Sequence, residues 1–311
     1  MVTKEIMNNL NETLVKEAPE EELKKFENLV RNYRTQFVHK PEFYVQQTFA
    51  KHKTLIDDVV SKRNVSYVIE TLRETAYKDF LVDEAKFNYE VINEIGKSYD
   101  TPNNILNSLI LEVQPQLANP ATQNEVIKEV CGKYASLITQ FFYVLALSNT
   151  QARRSRAGKT FEQVIYKMYE AFNYSFVSQK QFGTKTFEGK GLGKIVDSLL
   201  PSLEAFDSLK SKTIIGTMKT TLRERWQEVI EELSRTGLPK IYLLTMDDDI
   251  AASKSDSMGE HNVIIVVSQG VKETGHLADK HNIISFEEYF FNEIPPILEY
   301  WEKNPPRKSK S

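Results

Sequence analysis

Within Lys219-Thr-Thr-Leu-Arg-Glu-Arg-Trp226 stand an ammonium, two guanidinium groups and a carboxylate. The preceding run, Thr213-Ile-Ile-Gly-Thr-Met218, predicts a strand that delivers Lys219 to its end. A helix from Leu222 to about Arg235 follows, with Arg223, Glu224 and Arg225 in its first turn. In the major groove of DNA an arginine donates two bonds to guanine O6 and N7, and a glutamate accepts from cytosine N4–H. The triplet is therefore chemically complete for reading G·C pairs.

Lys219 suggests a second chemistry. Hydrolysing a phosphodiester through a hard cation needs clustered carboxylates, which bind Mg²⁺ through oxygen, and commonly a lysine that orients water or offsets phosphate charge. Three acids fit with Lys219. Asp197 lies inside a predicted strand, Lys194–Leu200, flanked by Ile195-Val196 and Leu199-Leu200, an odd place for an unpaired charge. Glu162 stands near the start of a predicted helix. Glu232 lies in the helix after Lys219. At about 100° per residue, Leu222, Trp226, Val229, Ile230 and Leu233 form that helix's apolar face. Glu231 points away from it, whereas Glu232 borders it on the side of Arg225, so Glu232 is the better placed to turn inward.

Each residue also has a plainer role. Asp197 could be a hydrogen-bonded strand-end aspartate, Glu162 a first-turn acid favoured by the helix dipole, Lys219 a solvated strand end, and Glu232 one of several exposed acids. Thr221-Leu-Arg-Glu224 reads as a capping box, with Thr221 at the N-cap, which competes with cytosine reading for the Glu224 side chain.

The elements that would position these groups divide by composition. Only Gly96 and Gly132 precede Gly158, and the other ten glycines follow from there. Residues 1–150 read as a helical region, with segments at Glu20–Tyr33, Pro41–Val60, Asn64–Tyr77, Asp83–Ile95 and Asn124–Leu147, and a turn-rich break at Tyr99–Asn104. Residues 151–311 read as α/β, a mixed central sheet flanked by helices. There Phe161, Val164, Ile165, Met168, Tyr169 and Phe172 form a helical stripe. Gly183, Gly189, Gly191 and Gly193 punctuate a hairpin-like region. Strands at Ile241–Met246 and Asn262–Val267 follow, then a short helix near Val271–Lys280 and a last helix from Ser285 towards Tyr300, which Pro295-Pro296 must interrupt. Arg307–Ser311 reads as a loose tail.

With 41% hydrophobic and 27% charged residues the chain can bury a core, and no apolar run approaches the roughly 20 residues of a membrane span. The start, Met1-Val-Thr-Lys-Glu-Ile6, lacks the apolar core of a secretory signal. Cys131 is the one cysteine, which excludes an intrachain disulfide and a cysteine-based zinc cluster and fits a cytoplasmic location. The net charge of −3 hides a contrast. Gln151–Arg225 carries 14 Lys/Arg against 7 Asp/Glu, while the rest carries 26 against 36. An acidic body with one basic segment, including Arg153-Arg-Ser-Arg156, suits contact with a polyanion through one face.

Taken together, Arg156-Ala-Gly-Lys-Thr-Phe-Glu162, then Asp197, then Lys219-Thr-Thr-Leu-Arg-Glu-Arg-Trp226 and Glu232 resemble the type II restriction endonucleases of the SsoII, PspGI and EcoRII group. These carry a variant PD-(D/E)XK core and cut sites with a CC/GG core. The spacings of 22 residues from Asp197 to Lys219 and 13 from Lys219 to Glu232 fit that pattern over residues 155–232. The resemblance implies that Asp197 is the core metal ligand and Lys219 the catalytic lysine. Thr217 stands where the common form has an acid, and Glu232 supplies that acid from the helix. It implies that Glu162 completes a Mg²⁺ site, that Arg223 and Arg225 read guanines, and that Glu224 reads cytosines. It further implies a homodimer on a palindromic double-stranded site, 5′ overhangs and extrusion of the central nucleotides. Both tryptophans, Trp226 and Trp301, lie outside the helical half where a wedge is expected; Tyr44, Phe49 or Arg63 could take that place.

Three other readings use the same residues. A repair or junction nuclease of this fold would keep the acids and Lys219 without needing the triplet. A DNA-binding regulator would bind specifically with no Mg²⁺-dependent turnover. A helical interaction protein would show no salt-sensitive DNA binding.

Overall fold

The computed structural model describes residues 17–192, 194–223 and 225–306. The chain forms two compact units, Met1–Lys40 with Lys78–Ser155, and Pro41–Tyr77 with Arg156–Ser311. The expected border at 150/151 lies close to one of these edges. However, residues 41–77, which the sequence places with the N-terminal region, belong to the unit that carries the sheet.

The first unit is helical, as its patterning predicts. It contains α1 (Glu20–Phe37), and the chain then passes through α2 (Pro41–Lys51) and two short helical segments, Lys53–Asp57 and Val59–Lys62, of the other unit. One helix, α3 (Val65–Ser98), replaces the two segments expected at 64–77 and 83–95, and the border between units falls within it. The expected break at Tyr99–Asn104 instead begins α4 (Asp100–Leu117), with Pro102 in its first turn, where a missing N–H leaves no bond unmade. α5 (Gln123–Leu137) and α6 (Thr139–Ala171) replace the single helix expected at 124–147 and turn by 75° at Ile138. Phe26, Tyr99 and Phe141 pack edge to face at the centre, with ring centroids 5.1–5.6 Å apart. Arg153 forks onto the buried Glu84 carboxylate, Nε lying 2.8 and 3.1 Å from its oxygens. One of the three arginines assigned to polyanion contact is thus a structural ion pair.

The second unit holds a six-stranded mixed sheet in the order β1 (Val177–Ser178), β2 (Ser198–Leu200), β3 (Ile214–Lys219), β4 (Ile241–Thr245), β5 (Val263–Val267) and β6 (Ile283–Ser285). β1 to β3 pair antiparallel and β3 to β6 pair parallel. A parallel sheet must be covered on both faces, so its strands are apolar throughout rather than alternating; Ile214–Met218 and Ile241–Thr245 are wholly buried. One face packs Ile215, Leu243 and Ile265 against Val229 and Leu233 of α7 (Arg225–Thr236) and Met258 of α8 (Ala252–Glu260). On the other, Tyr242 meets Tyr289, whose hydroxyl lies 2.7 Å from that of Tyr169 on α6. Residues 41–77 belong to this same layer. Val65, Val68, Ile69 and Leu72 are fully buried, Ser66 N–H and Oγ–H each donate to Glu287 at 2.7 Å, and Ser66 Oγ accepts the Gln269 N–H.

Two short helices, Gln179–Phe182 and Thr184–Gly189, occupy the region expected to be hairpin-like. The last helix starts at Phe286 and is interrupted before Pro295 and Pro296, as expected: a π-helical turn, Tyr289–Glu293, leads into α9 (Ile294–Lys303), whose first turn holds both prolines. No single helix among the described residues is long and apolar enough to cross a membrane. The tail at 307–311, the start at 1–6 and Gly193 lie outside the described residues.

Candidate active site

The site grows from the end of β3. Five buried residues hold the strand in the sheet, and Lys219 emerges from it with its side chain 18% exposed. Asp197 is not inside a strand, as its sequence context suggests, but immediately precedes β2. Its main chain is nonetheless fixed. The Asp197 N–H donates to Gly216 O, and its carbonyl accepts from the Gln179 N–H and from the Tyr166 hydroxyl, each at 2.9–3.0 Å. The carboxylate therefore faces β3. Asp197 Oδ2 accepts the Met218 N–H at 2.6 Å and the Thr217 hydroxyl at 3.3 Å, and lies 3.7 Å from Lys219 Nζ.

Glu162 comes to this pair from α6. That helix begins at Thr139, so Glu162 lies well past the first turn and the helix dipole does not account for it. Burial raises its carboxyl to about 7; negative Asp197 adds to the shift, while Lys219, Lys159 and Lys180 oppose it. Burial also raises Asp197, against Lys219, the Met218 N–H and the Thr217 hydroxyl. These two buried carboxyls, in electrostatic contact, offer the oxygen donors that a hard cation takes. Mg²⁺ commonly takes one or two carboxylates and completes its shell with water and phosphate oxygens. Asp197 and Glu162 fit that requirement. Among the described residues no group of three acids, histidines or cysteines stands ready to hold an ion alone.

Glu232 does not join them in this state. As its helical position predicts, it is less exposed than Glu231, with its side chain 13% exposed. Yet its carboxylate accepts the Lys194 N–H at 2.9 Å and is forked by Arg235, which lowers its pKa. The sequence does offer a signal for this pairing, since Glu232 and Arg235 are three apart on a helix.

The reader segment is built differently from its prediction. α7 starts at Arg225, not Leu222, and Arg223 adopts a left-handed backbone with φ 32°. Glu224, whether as cytosine reader or as cap, and the Arg225 side chain lie outside the described residues. Trp301 is buried, with its indole N–H on Lys212 O, and Trp226 packs against the core. Tyr44 is buried too, Phe49 is partly so, and Arg63 lies over the Phe291 ring at 4.0 Å. Thr217 and Tyr166, which bond Asp197 directly, carry no local sequence signal for that role; the pairing of β2 with β3 brings Thr217 there, and the packing of α6 brings Tyr166.

The raised Glu162 carboxyl has a measurable sign. Between about 4.5 and 7 the folded state holds a proton that the unfolded chain has released. The stabilisation is therefore full below that window and is lost as pH rises through it. Denaturant titrations of metal-free protein at pH 5 and pH 8 should show wild type losing on the order of 2 kcal/mol more than Glu162→Gln across that interval. Equal pH slopes for the two proteins would contradict the burial of this acid.

A mixed sheet flanked by helices, with Lys219 and Asp197 paired at the end of β3, is the architecture of the PD-(D/E)XK nuclease class. Residues 121–290 match the family model described as EcoRII C terminal. The chain is 31% identical over 237 residues to the type II restriction enzyme SsoII of Shigella sonnei, covering 76% of this chain and 73% of that enzyme. Its fold is similar to that of metal-depleted Ecl18kI in complex with uncleaved, modified DNA, at a TM-score of 0.73 and 26% identity, covering 92% and 87% of the two chains. A restriction endonuclease PspGI–substrate DNA complex shares the fold at a TM-score of 0.57 and 16% identity, over 86% and 95% of the chains. The chain belongs to the EcoRII C-terminal family, and with it to the type II restriction endonucleases.

Proposed function

We propose that this enzyme hydrolyses double-stranded DNA at a palindromic site with a CC/GG core, of the CCNGG or CCWGG kind, in a Mg²⁺-dependent reaction that leaves 5′ overhangs. The observation that carries the reading is the shared corner. Lys219, ion-paired with Asp197 and within electrostatic reach of Glu162, ends the strand from which the Arg223–Arg225 segment departs. The relatives solved with DNA support a DNA substrate.

Asp197 and Glu162 would hold the cation, and Glu232, were it freed from Arg235 and the Lys194 N–H, would offer a third carboxylate. When bound, Mg²⁺ supplies Lewis-acid stabilisation of the phosphate and helps acidify the attacking water. Lys219 orients that water for in-line attack and offsets charge that builds on the phosphate oxygens. Thr217 and the Met218 N–H keep Asp197 aimed, and Tyr166 holds its main chain. Arg223 and Arg225 select guanines and Glu224 cytosines. The helical region and residues 41–77 contact the backbone and the centre of the site, and a two-fold dimer matches the palindrome. With Tyr44 buried, the exposed Tyr67 on α3 (59% exposed) is the better flat surface for an extruded base. The single exposed cysteine, Cys131, is compatible with the reducing cytoplasm.

Digestion of DNA of known sequence with Mg²⁺, followed by run-off sequencing of the ends, tests this. Discrete fragments with CC/GG ends support it; nicking without a common sequence, or cutting only at branched structures, overturns it. Arg223→Ala should cost about 1–3 kcal/mol of discrimination at one G·C pair, read by competition binding without metal. An unchanged preference for the matched site would remove Arg223 from the reader.

A further inference from the structure

Between β3 and α7 the chain must turn from a strand end into the segment that presents Arg223. The N–H of Leu222 has no partner from its own helix, because α7 begins three residues later. It donates instead to Asp247 Oδ2, 2.6 Å away. Asp247 lies just past the end of β4, which runs parallel to β3 with Thr245 in register with Lys219.

The carboxylate is itself held. Its other oxygen accepts the Asp249 N–H at 3.3 Å, and the Asp247 N–H donates to the buried Thr245 Oγ1 at 3.1 Å. Three residues after Asp247, Ile250 is buried in the core and its carbonyl is bonded to His276 Nε2 at 2.9 Å. A loop held at both ends thus extends a carboxyl acceptor to one amide of the neighbouring loop. Leu222 is fixed on its other side too, since its side chain is fully buried. With both its amide and its side chain held, the next residue takes up the turn, and Arg223 does so in the left-handed region that non-glycine residues seldom enter.

We infer that Asp247 is a positioning residue for base recognition: by holding the Leu222 N–H it sets the backbone corner from which the Arg223 guanidinium is aimed. The inference rests on Arg223 being a base reader, as proposed above. It assigns to Asp247 a share of sequence discrimination although it need not touch DNA, as a guanidinium loses its bidentate fit to a guanine edge when its backbone shifts.

The test compares wild type with D247A, D247N, T245V and R223A, all without metal. Affinity is measured for the duplex that run-off sequencing identifies and for duplexes with one G·C pair replaced. Hydrogen exchange of the Leu222 amide is followed in the free proteins. D247A is expected to speed Leu222 exchange and to lower the matched-to-mismatched affinity ratio by roughly ten- to a hundredfold, with binding to mismatched DNA unchanged. D247N retains an acceptor and should restore most of the ratio. T245V, which frees the Asp247 main chain without a change of shape, should move both readouts the same way by less; if D247A fails to fold, T245V decides. Faster Leu222 exchange with a wild-type ratio, while R223A loses its ratio, overturns the inference. An equal loss of affinity for every duplex also overturns it, because that is what a merely structural role produces. If R223A itself keeps the wild-type ratio, the assignment of Arg223 as reader is the part that fails.

Discussion

Alanine in place of Lys219 is expected to slow DNA cleavage by roughly 10²–10³-fold or more while leaving specific binding close to wild type. The Lys219 side chain is only 18% exposed and its ammonium lies 3.7 Å from Asp197 Oδ2, so water screens it weakly. Its removal has two consequences. The phosphate loses a cation aimed at the charge that develops during hydrolysis, and Asp197 loses the charge that most opposes its burial. The second effect raises the Asp197 carboxyl further and weakens cation binding at neutral pH. Cleavage by Lys219→Ala should therefore recover partly at alkaline pH or high Mg²⁺, which distinguishes the indirect loss from the direct one. Single-turnover cleavage beside metal-free gel shifts provides the measurement. A variant that cuts within threefold of wild type would sink the catalytic assignment of Lys219.

Asparagine in place of Asp197 should abolish cleavage to a similar or greater extent, with no loss of folding stability at pH 8. Burial disfavours the charged carboxylate, while an amide oxygen of the same shape still accepts the Met218 N–H. Alanine at this position is a different experiment. It strands the Met218 N–H and the buried Thr217 hydroxyl, at about 1–3 kcal/mol, so lost activity and lost stability would be mixed. Metal-free DNA binding should tighten in Asp197→Asn, because one negative charge no longer faces the phosphate. Thermal melts and cleavage assays on the two variants check this. Asn and Ala melting at the same temperature would contradict the hydrogen bonding described.

The course from β3 through Lys219 to α7 is legible in the sequence because its signals are local. An apolar β-branched run gives the strand, and one helical period separates Val229 and Leu233, which are buried, from the exposed Glu231. What the sequence does not reveal is set by distant partners. The two residues of β1 and three of β6 are too short to show a period, and exist only by pairing with β2 and β5. The bond from the Leu222 N–H to Asp247, 25 residues away, has no local signature either. Glu162 reads as a first-turn acid because nothing nearby marks α6 as starting at Thr139. Arg153 reads as a free cation until Glu84, 69 residues away, is seen beneath it.

The segment at residues 41–77 bears on how the enzyme can be divided. Ser66 bonds both Glu287 and the Gln269 amide, and Arg73 lies 5.5 Å over the Phe161 ring, one residue from Glu162. A fragment beginning at residue 151, where composition alone would cut, keeps every catalytic candidate but loses the Ser66 bonds to Glu287 and Gln269 and the Arg73 contact with Phe161. The compact unit that carries the sheet is thus discontinuous in sequence, and recombination between relatives would have to exchange both pieces together to keep these contacts.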